Sequence, residues 1–281
     1  MKFIIVGLGS IGQRHQKILT DLGHEVIPCH QNDDLKSLIA TNHPNGILIC
    51  NPTSLHLKTA KMAVGLPLLI EKPLSDNLDG ITPLQGKILV AYCLRFQPGL
   101  IQIKQQLKAG VIGKVKTAEI FCSTYLPDWH PGTDYRQSYS AKKNLGGGVL
   151  LDLSHEIDYA VWFFGRVKTV SAKLKLAPEL NIETEAVADL EIEFVSGVKT
   201  QIHLDYITKP PRRGCLIKGK TGNLSWQYPG PGNMYVDEIK HFIDVVQGKT
   251  KPLVPLADAK HVLEIIAAAK KSAQTDKIIK L

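Results

Sequence analysis

Lys2-Phe3-Ile4-Ile5-Val6-Gly7-Leu8-Gly9-Ser10-Ile11-Gly12 opens the chain, and its reading decides the fold. Four apolar residues, Phe3 to Val6, run into a Gly7-x-Gly9-x-x-Gly12 turn, and Ile18 and Leu19 mark the apolar side of a helix beyond it. In the order strand, turn, helix each glycine has a task. Gly7 permits the tight turn, Gly9 lets the backbone approach a pyrophosphate, and Gly12 lets the helix pack close to the strand. The unpaired N–H groups and the positive dipole end of that helix then face the phosphates, with Leu8, Ser10 and Ile11 beside the glycines. We expect dinucleotide binding here in preference to a merely structural turn.

The pattern continues outward as alternating strands and helices. Strands are expected over 24–30, 46–50, 66–70 and 88–92, and helices over 34–41 and 54–64. Such alternation implies a doubly wound parallel sheet, whose ligands bind beyond the carboxyl ends of the strands. Asn51-Pro52-Thr53, Glu71-Lys72-Pro73 and Arg95 fall at or just beyond those ends.

After Arg95 the periodicity changes. A helix over 98–109 and an alternating strand over 115–123 lead into a Tyr/Trp/Pro/Gly-rich loop over 124–148. A helix over 150–164 carries Leu153, Ile157, Ala160 and Phe164 as one stripe, with Asp152, His155, Glu156 and Tyr159 on another face. Asp189 to Phe194 alternates strictly, Ser196-Gly197 turns the chain, and Thr200, Ile202, Leu204 and Tyr206 share a face of the returning strand. This part reads as an α/β domain with an open, mostly antiparallel sheet, and helical patterns over 236–246 and 257–273 close the chain. The expected division is a dinucleotide-binding domain over 1–96 and a substrate-binding and oligomerisation domain over 97–281.

Bulk properties restrict the function. The 281 residues suffice for two domains, and 44% hydrophobic with 21% charged residues is ordinary for a globular protein. No apolar run approaches the roughly 20 residues of a membrane helix, and the opening lacks a signal-peptide cleavage site. Membrane association is therefore not expected. The net charge is +8, but Lys and Arg are scattered, which argues against nucleic acid and for a field that attracts an anionic cofactor or substrate. The five cysteines form no CxxC pair, so buried reduced thiols, a cytoplasmic location and no metal site are expected.

Four motifs occur in order: Gly7-x-Gly9-x-x-Gly12-Gln-Arg14-His15, Asn51-Pro52-Thr53-x-x-His56, Glu71-Lys72-Pro73, and Gly146-Gly147-Gly148-Val-Leu-Leu-Asp152-Leu-Ser-His155. Together they resemble the Gfo/Idh/MocA family of oxidoreductases over nearly the whole chain. The resemblance implies an N-terminal Rossmann domain, a C-terminal α/β domain, a nicotinamide cofactor, and sugars, inositols or their derivatives as substrates. It also implies a homodimer or homotetramer paired through the open sheet. By the same resemblance Lys72 lies between nicotinamide and substrate, and Asn51, Pro52, Thr53, His56, Glu71 and Arg95 lie near the cofactor.

Chemistry supports these positions. Pro73 holds Lys72 extended, and a partly desolvated lysine at a sheet's mouth can exchange a proton with a hydroxyl. A Glu71–Lys72 surface pair is the bland alternative. Asp152 and His155 follow a glycine-rich turn at i,i+3, so both can point into a cleft, the histidine to move a proton and the aspartate to orient a hydroxyl. An N-cap aspartate and a structural histidine are the alternative. The family commonly spaces this pair i,i+4, so the match is one residue short. Arg95 suits a carboxylate or a structural interdomain salt bridge. The loop residues Tyr125, Trp129, Asp134, Tyr135 and Arg136, with His130 between them, suit sugar recognition. For the cofactor ribose, Cys29-His30-Gln31-Asn32-Asp33 ends the second strand without an arginine for a 2′-phosphate. NAD is favoured over NADP, with His30 beside the ribose.

The reading is hydride transfer between nicotinamide and a hydroxyl or keto group of a sugar, with Lys72 or His155 handling the proton. The Tyr125–Arg136 loop with Asp-Leu-Ser-His-Glu is similar to members found with bacterial surface-sugar synthesis. Two rivals keep the fold: an NAD-dependent glycoside-cleaving enzyme working by transient oxidation and elimination, and a non-enzymatic nucleotide-sensing regulator.

Overall fold

A computed structural model describes residues 1–81, 84–129 and 132–281, and every count or absence below refers to these. Elements run in the order β1 (Lys2–Val6), α1 (Ser10–Asp21), β2 (Glu25–Cys29), α2 (Leu35–Asn42), β3 (Gly46–Ile49), α3 (His56–Met62), β4 (Leu68–Glu71) and β5 (Ile88–Ala91). Then follow α4 (Pro98–Lys108), β6 (Val115–Tyr125), α5 (Val149–Asp152), α6 (His155–Phe164), β7 (Val167–Lys175), β8 (Val187–Phe194) and β9 (Lys199–Asp205). The chain closes with β10 (Ile207–Gly219), β11 (Asn223–Gln227), α7 (Met234–Val246), α8 (Leu256–Thr275) and β12 (Ile279–Lys280). It divides into two compact units, Met1–Phe96 with Asn233–Lys260, and Gln97–Gly232 with His261–Leu281.

The first unit holds a five-stranded sheet in the order β2-β1-β3-β4-β5, with every pairing parallel. Phe3, Ile4, Ile5, Ile47, Leu48, Ile49, Leu69, Ile70 and Val90 are wholly buried. A parallel sheet covered on both faces requires such unbroken apolar runs, which is why its strands were readable from the sequence. Part of the cover comes from far along the chain. The Phe242 ring of α7 lies 6.1 Å from that of Phe3, and Val90 N–H donates to Val254 O at 3.1 Å. The 233–260 stretch therefore belongs to this unit, although the sequence reading assigns it to the second domain. An amphipathic helix announces that it covers a sheet, not which one.

The second unit holds a seven-stranded sheet, β11-β10-β6-β9-β8-β7-β12. Only β6 and β9 pair in parallel; the other pairings are antiparallel. Ala188, Leu190, Ile192 and Phe194 on β8, and Thr200, Ile202, Leu204 and Tyr206 on and after β9, are buried as their alternation requires. Strands β7, β10, β11 and β12 were not anticipated. β10 contains Pro210-Pro211-Arg212-Arg213, a composition that demotes a run to non-strand, and its exposed first half tolerates it.

One expected helix is two. The chain leaves helical geometry at Leu153 (φ −97°, ψ 28°) after α5 and resumes it at His155. Asp152 thus ends one helix and His155 starts the next, so the i,i+3 helical-face argument does not apply. Nor is there an exposed face: Asp152, Glu156, Asp158 and Tyr159 are all buried along with the apolar stripe. The loop after β6 is a series of short 3-10 turns: Leu126–Asp128, Tyr135–Gln137, Tyr139–Ala141 and Lys143–Leu145. His130 lies outside the described residues.

Candidate active site

In the first unit the site is made of backbone. Gly7 has φ +91°, and a Cβ there would stand 2.7 Å from the Asn51 backbone. A Cβ on Gly12 would stand 2.0 Å from Gly7 O, so α1 touches the turn through a position only glycine can fill. A Cβ on Gly9, by contrast, would meet nothing within 4 Å. Gly9 caps α1 without a side-chain hydrogen bond, and no acidic residue sits in the first turn. The amide end of α1 is thus uncompensated beneath open space, a geometry suited to a phosphate group.

Around this turn, Asn51 donates through Nδ2 to Thr59 Oγ1 at 2.8 Å, and Pro52 leads into a 3-10 turn over Thr53–Leu55. The His56 nitrogens lie 2.8 Å from Asn51 O and 2.9 Å from Pro73 O. His56 is buried, and burial lowers its pKa against the raising effect of those two carbonyls. A neutral ring donates to one carbonyl at a time, so His56 ties the Asn51 loop to the Lys72-Pro73 segment as a structural strut. Glu71 ends β4 and accepts from His15 Nε2 at 2.7 Å and from Lys72 N–H at 3.3 Å. The Lys72–Pro73 peptide is cis.

His15, Cys50 and Glu71 bring potential ligand atoms within 4.8 Å of one another. Burial, then the charges of Glu71 and Glu238, push the Cys50 thiol well above its ordinary pKa, so it stays protonated. Glu238 of α7 is fully buried, and burial followed by Glu71 pushes its carboxyl well above the usual range. Sequence reasoning missed it. The available signal was an acidic residue on the apolar side of an amphipathic helix.

Two other candidates have local partners. Arg95 is 1% exposed and donates through Nη1 to Asp258 Oδ2 at 2.9 Å and Leu253 O at 3.1 Å. The pair with Asp258 is made within the first unit, so it is not the interdomain salt bridge expected of Arg95. His30 is exposed after β2, and its N–H donates to Asp33 Oδ2 at 2.7 Å, so Asp33 closes a turn.

In the second unit the site is made of side chains. Asp152 is 2% exposed and accepts from the Tyr206 hydroxyl at 2.6 Å. Tyr206 is wholly buried, and burial, then the Asp152 charge, push its pKa well up, so it remains a donor. The Trp129 ring meets Tyr206 edge-on at 5.5 Å and donates through Nε1 to Thr124 Oγ1 at 2.7 Å. His155, the first residue of α6, is also buried. Tyr125 lies under the Lys209 ammonium at 5.2 Å. Tyr135 donates to Leu180 O at 3.0 Å, while the exposed Asp134 and Arg136 pair with each other through two hydrogen bonds of 2.7 and 3.1 Å. The glycine run serves an internal purpose. A Cβ on Gly147 would strike the Tyr139 and Ser140 carbonyls, and one on Gly148 the Glu185 carboxylate at 2.5 Å. Burial raises the Glu185 pKa, opposed first by Lys270. Tyr206, Glu185 and Arg213, which pairs with buried Glu156 at 3.0 Å, escaped the sequence reading of the site because each partner lies tens of residues away.

Residues 100–225 match the GFO/IDH/MocA C-terminal domain. An uncharacterized oxidoreductase of Synechocystis is 26% identical over 218 residues, which span 68% of this chain but 57% of that protein. The myo-inositol 2-dehydrogenase of Thermotoga maritima is 24% identical over 343 aligned positions, covering 100% of this chain and 98% of its own. Among solved structures, the WlbA dehydrogenase of Bordetella pertussis, in complex with NADH and UDP-GlcNAcA, superposes with a TM-score of 0.87 at 18% identity, covering 100% and 98% of the two chains. The four ordered motifs agree with these matches in their likeness to the Gfo/Idh/MocA oxidoreductases, with residues 100–225 matching that family's C-terminal domain.

Proposed function

We propose that this protein transfers hydride between a nicotinamide cofactor and a hydroxyl or keto group of a sugar or sugar derivative. The observation that carries this is the glycine turn with open space above Gly9, in the same sheet whose β4 ends at Glu71-Lys72. The cradle from Gly7 to Gly12, with Leu8, Ser10 and Ile11, would hold the pyrophosphate. His30 would lie by the ribose, with Asn51, Pro52, Thr53 and Glu71 toward the nicotinamide. His56 and Arg95 would support that surface from behind. When bound, the cofactor supplies a hydride acceptor or donor. Lys72 exchanges the proton of the reacting hydroxyl, His155 is the alternative proton carrier, and Asp152 orients a neighbouring hydroxyl. Tyr125, Trp129, Asp134, Tyr135 and Arg136 contribute the sugar-binding loop.

NAD is favoured over NADP because no arginine follows β2. The presence of NADH and a UDP-linked sugar in the WlbA complex, and the inositol named for the Thermotoga relative, support the substrate class. We also assign a homodimer or homotetramer and, from five buried cysteines with no disulfide, a cytoplasmic location. No helix is long and apolar enough to cross a membrane.

The test is to screen myo-inositol, methyl glucosides and UDP-N-acetylglucosamine for reduction of NAD and NADP, then to repeat the productive assay with Lys72→Met. Turnover should fall by about 10²–10⁴-fold while cofactor affinity stays within about twofold. Near-normal turnover in the variant would remove Lys72 from the mechanism.

A further inference from the structure

Tyr206 sits between β9 and β10 and is held on every side. Its N–H donates to Ala186 O at 2.9 Å, and its carbonyl accepts from Leu126 N–H at 3.0 Å. Its ring takes the edge of Trp129 at 5.5 Å, and its hydroxyl reaches Asp152 Oδ2 at 2.6 Å. One rigid side chain therefore joins two elements that the sequence separates: the carboxylate at the end of α5 and the start of the loop after β6.

Stability alone does not account for this pair. An aspartate and a tyrosine with both side chains nearly inaccessible to water carry a desolvation cost that a phenylalanine–leucine pair of similar volume avoids. A buried charged acceptor with a short, fully enclosed donor is instead how a site holds a carboxylate in one orientation. Resting on the role of Asp152 given above, we propose that Tyr206 is the positioning residue of the sugar site. It fixes the Asp152 carboxylate through its hydroxyl and seats the Trp129 loop through its ring.

Two substitutions separate these contributions. Tyr206→Phe keeps the ring and the backbone anchors but deletes the donor. Tyr206→Leu deletes both. On the sugar found by the screen, Tyr206→Phe should lower kcat/KM by about 10–100-fold, the range for losing a hydrogen bond to a charged group. NADH affinity, measured by fluorescence titration, should stay unchanged and report that the variant is folded. Tyr206→Leu should raise KM further. The decisive measurement is the double variant. If Tyr206 acts through Asp152, Tyr206→Phe should have little effect in an Asp152→Asn background. Additive losses, or an unchanged kcat/KM in Tyr206→Phe, would overturn the proposal while leaving the role of Asp152 standing. Full activity in Asp152→Asn alone would overturn the assignment of Asp152 itself, and so would a screen in which no sugar is oxidised.

Discussion

The two units build their sites from different materials. The first uses backbone: Gly7 and Gly12 are confined to glycine by contacts of 2.7 and 2.0 Å, and the groups proposed to face a ligand are amides at the start of α1. The second uses buried charged and hydroxylic side chains from distant segments: Asp152 with Tyr206, Glu156 with Arg213, and Glu185 against Gly148. A backbone site tolerates changes of nearby side chains and almost no change of its glycines. A side-chain site is the converse, because removing one member strands its partner in a poorly solvated place.

The largest effect expected from this contrast is at Gly12. Gly12→Ala places a methyl group against the Gly7 carbonyl and should destabilise the first unit by on the order of 4 kcal/mol or more in urea denaturation. Gly9→Val sharpens the point. Its Cβ meets no protein atom within 4 Å, so it should cost less than about 1 kcal/mol of stability yet weaken NADH binding by about tenfold or more. Equal NADH affinity in wild type and Gly9→Val would show that the phosphates lie elsewhere.

Next comes Glu156→Gln, which leaves the Arg213 guanidinium without its counter-charge and should cost about 3 kcal/mol. Calorimetry that finds the variant as stable as wild type would mean the second unit does not depend on its buried charges. A smaller effect is tied to pH. Burial would push the Asp205 carboxyl up, but hydrogen bonds from His203, Ile207 N–H and Thr208 outweigh it and bring the pKa down to about 2. That stability is present above about pH 4 and is lost as pH falls toward 2. His203 is shifted the other way: Asp205 raises its pKa, burial opposes, and Asp189 adds to the rise. Its contribution is complete below about pH 6.5 and fades as pH climbs through the raised value. Asp205→Asn should therefore flatten the acid limb of the thermal midpoint between about pH 4 and 2. An unaltered limb would show that other carboxylates carry the acid response.

How much could be read beforehand follows the same division. Strands β1, β3, β4 and β5 were readable because they are apolar on both faces, and the glycine turn because its spacing obeys a local steric rule. The β8–β9 hairpin was readable from its period of two and the turn at Gly197 (φ +85°). The single helix expected over 150–164 was not found, because local periodicity does not register the break at Leu153. The contacts that crowd Gly147 and Gly148, the Ser140 carbonyl and the Glu185 carboxylate, were not legible either, because neither partner is adjacent to the run in sequence.

From residue order alone come the strand–turn–helix opening, the parallel sheet, the alternating second sheet and the roster of chemically capable residues. All of these depend on interactions within a few residues, where steric and hydrophobic periodicities act. Tertiary structure alone decided that 233–260 completes the first unit, that Arg95 is tied to Asp258, and that Tyr206 holds Asp152. The last two pairings span 163 and 54 positions, and nothing in the local pattern of either partner encodes the distance at which burial brings them together.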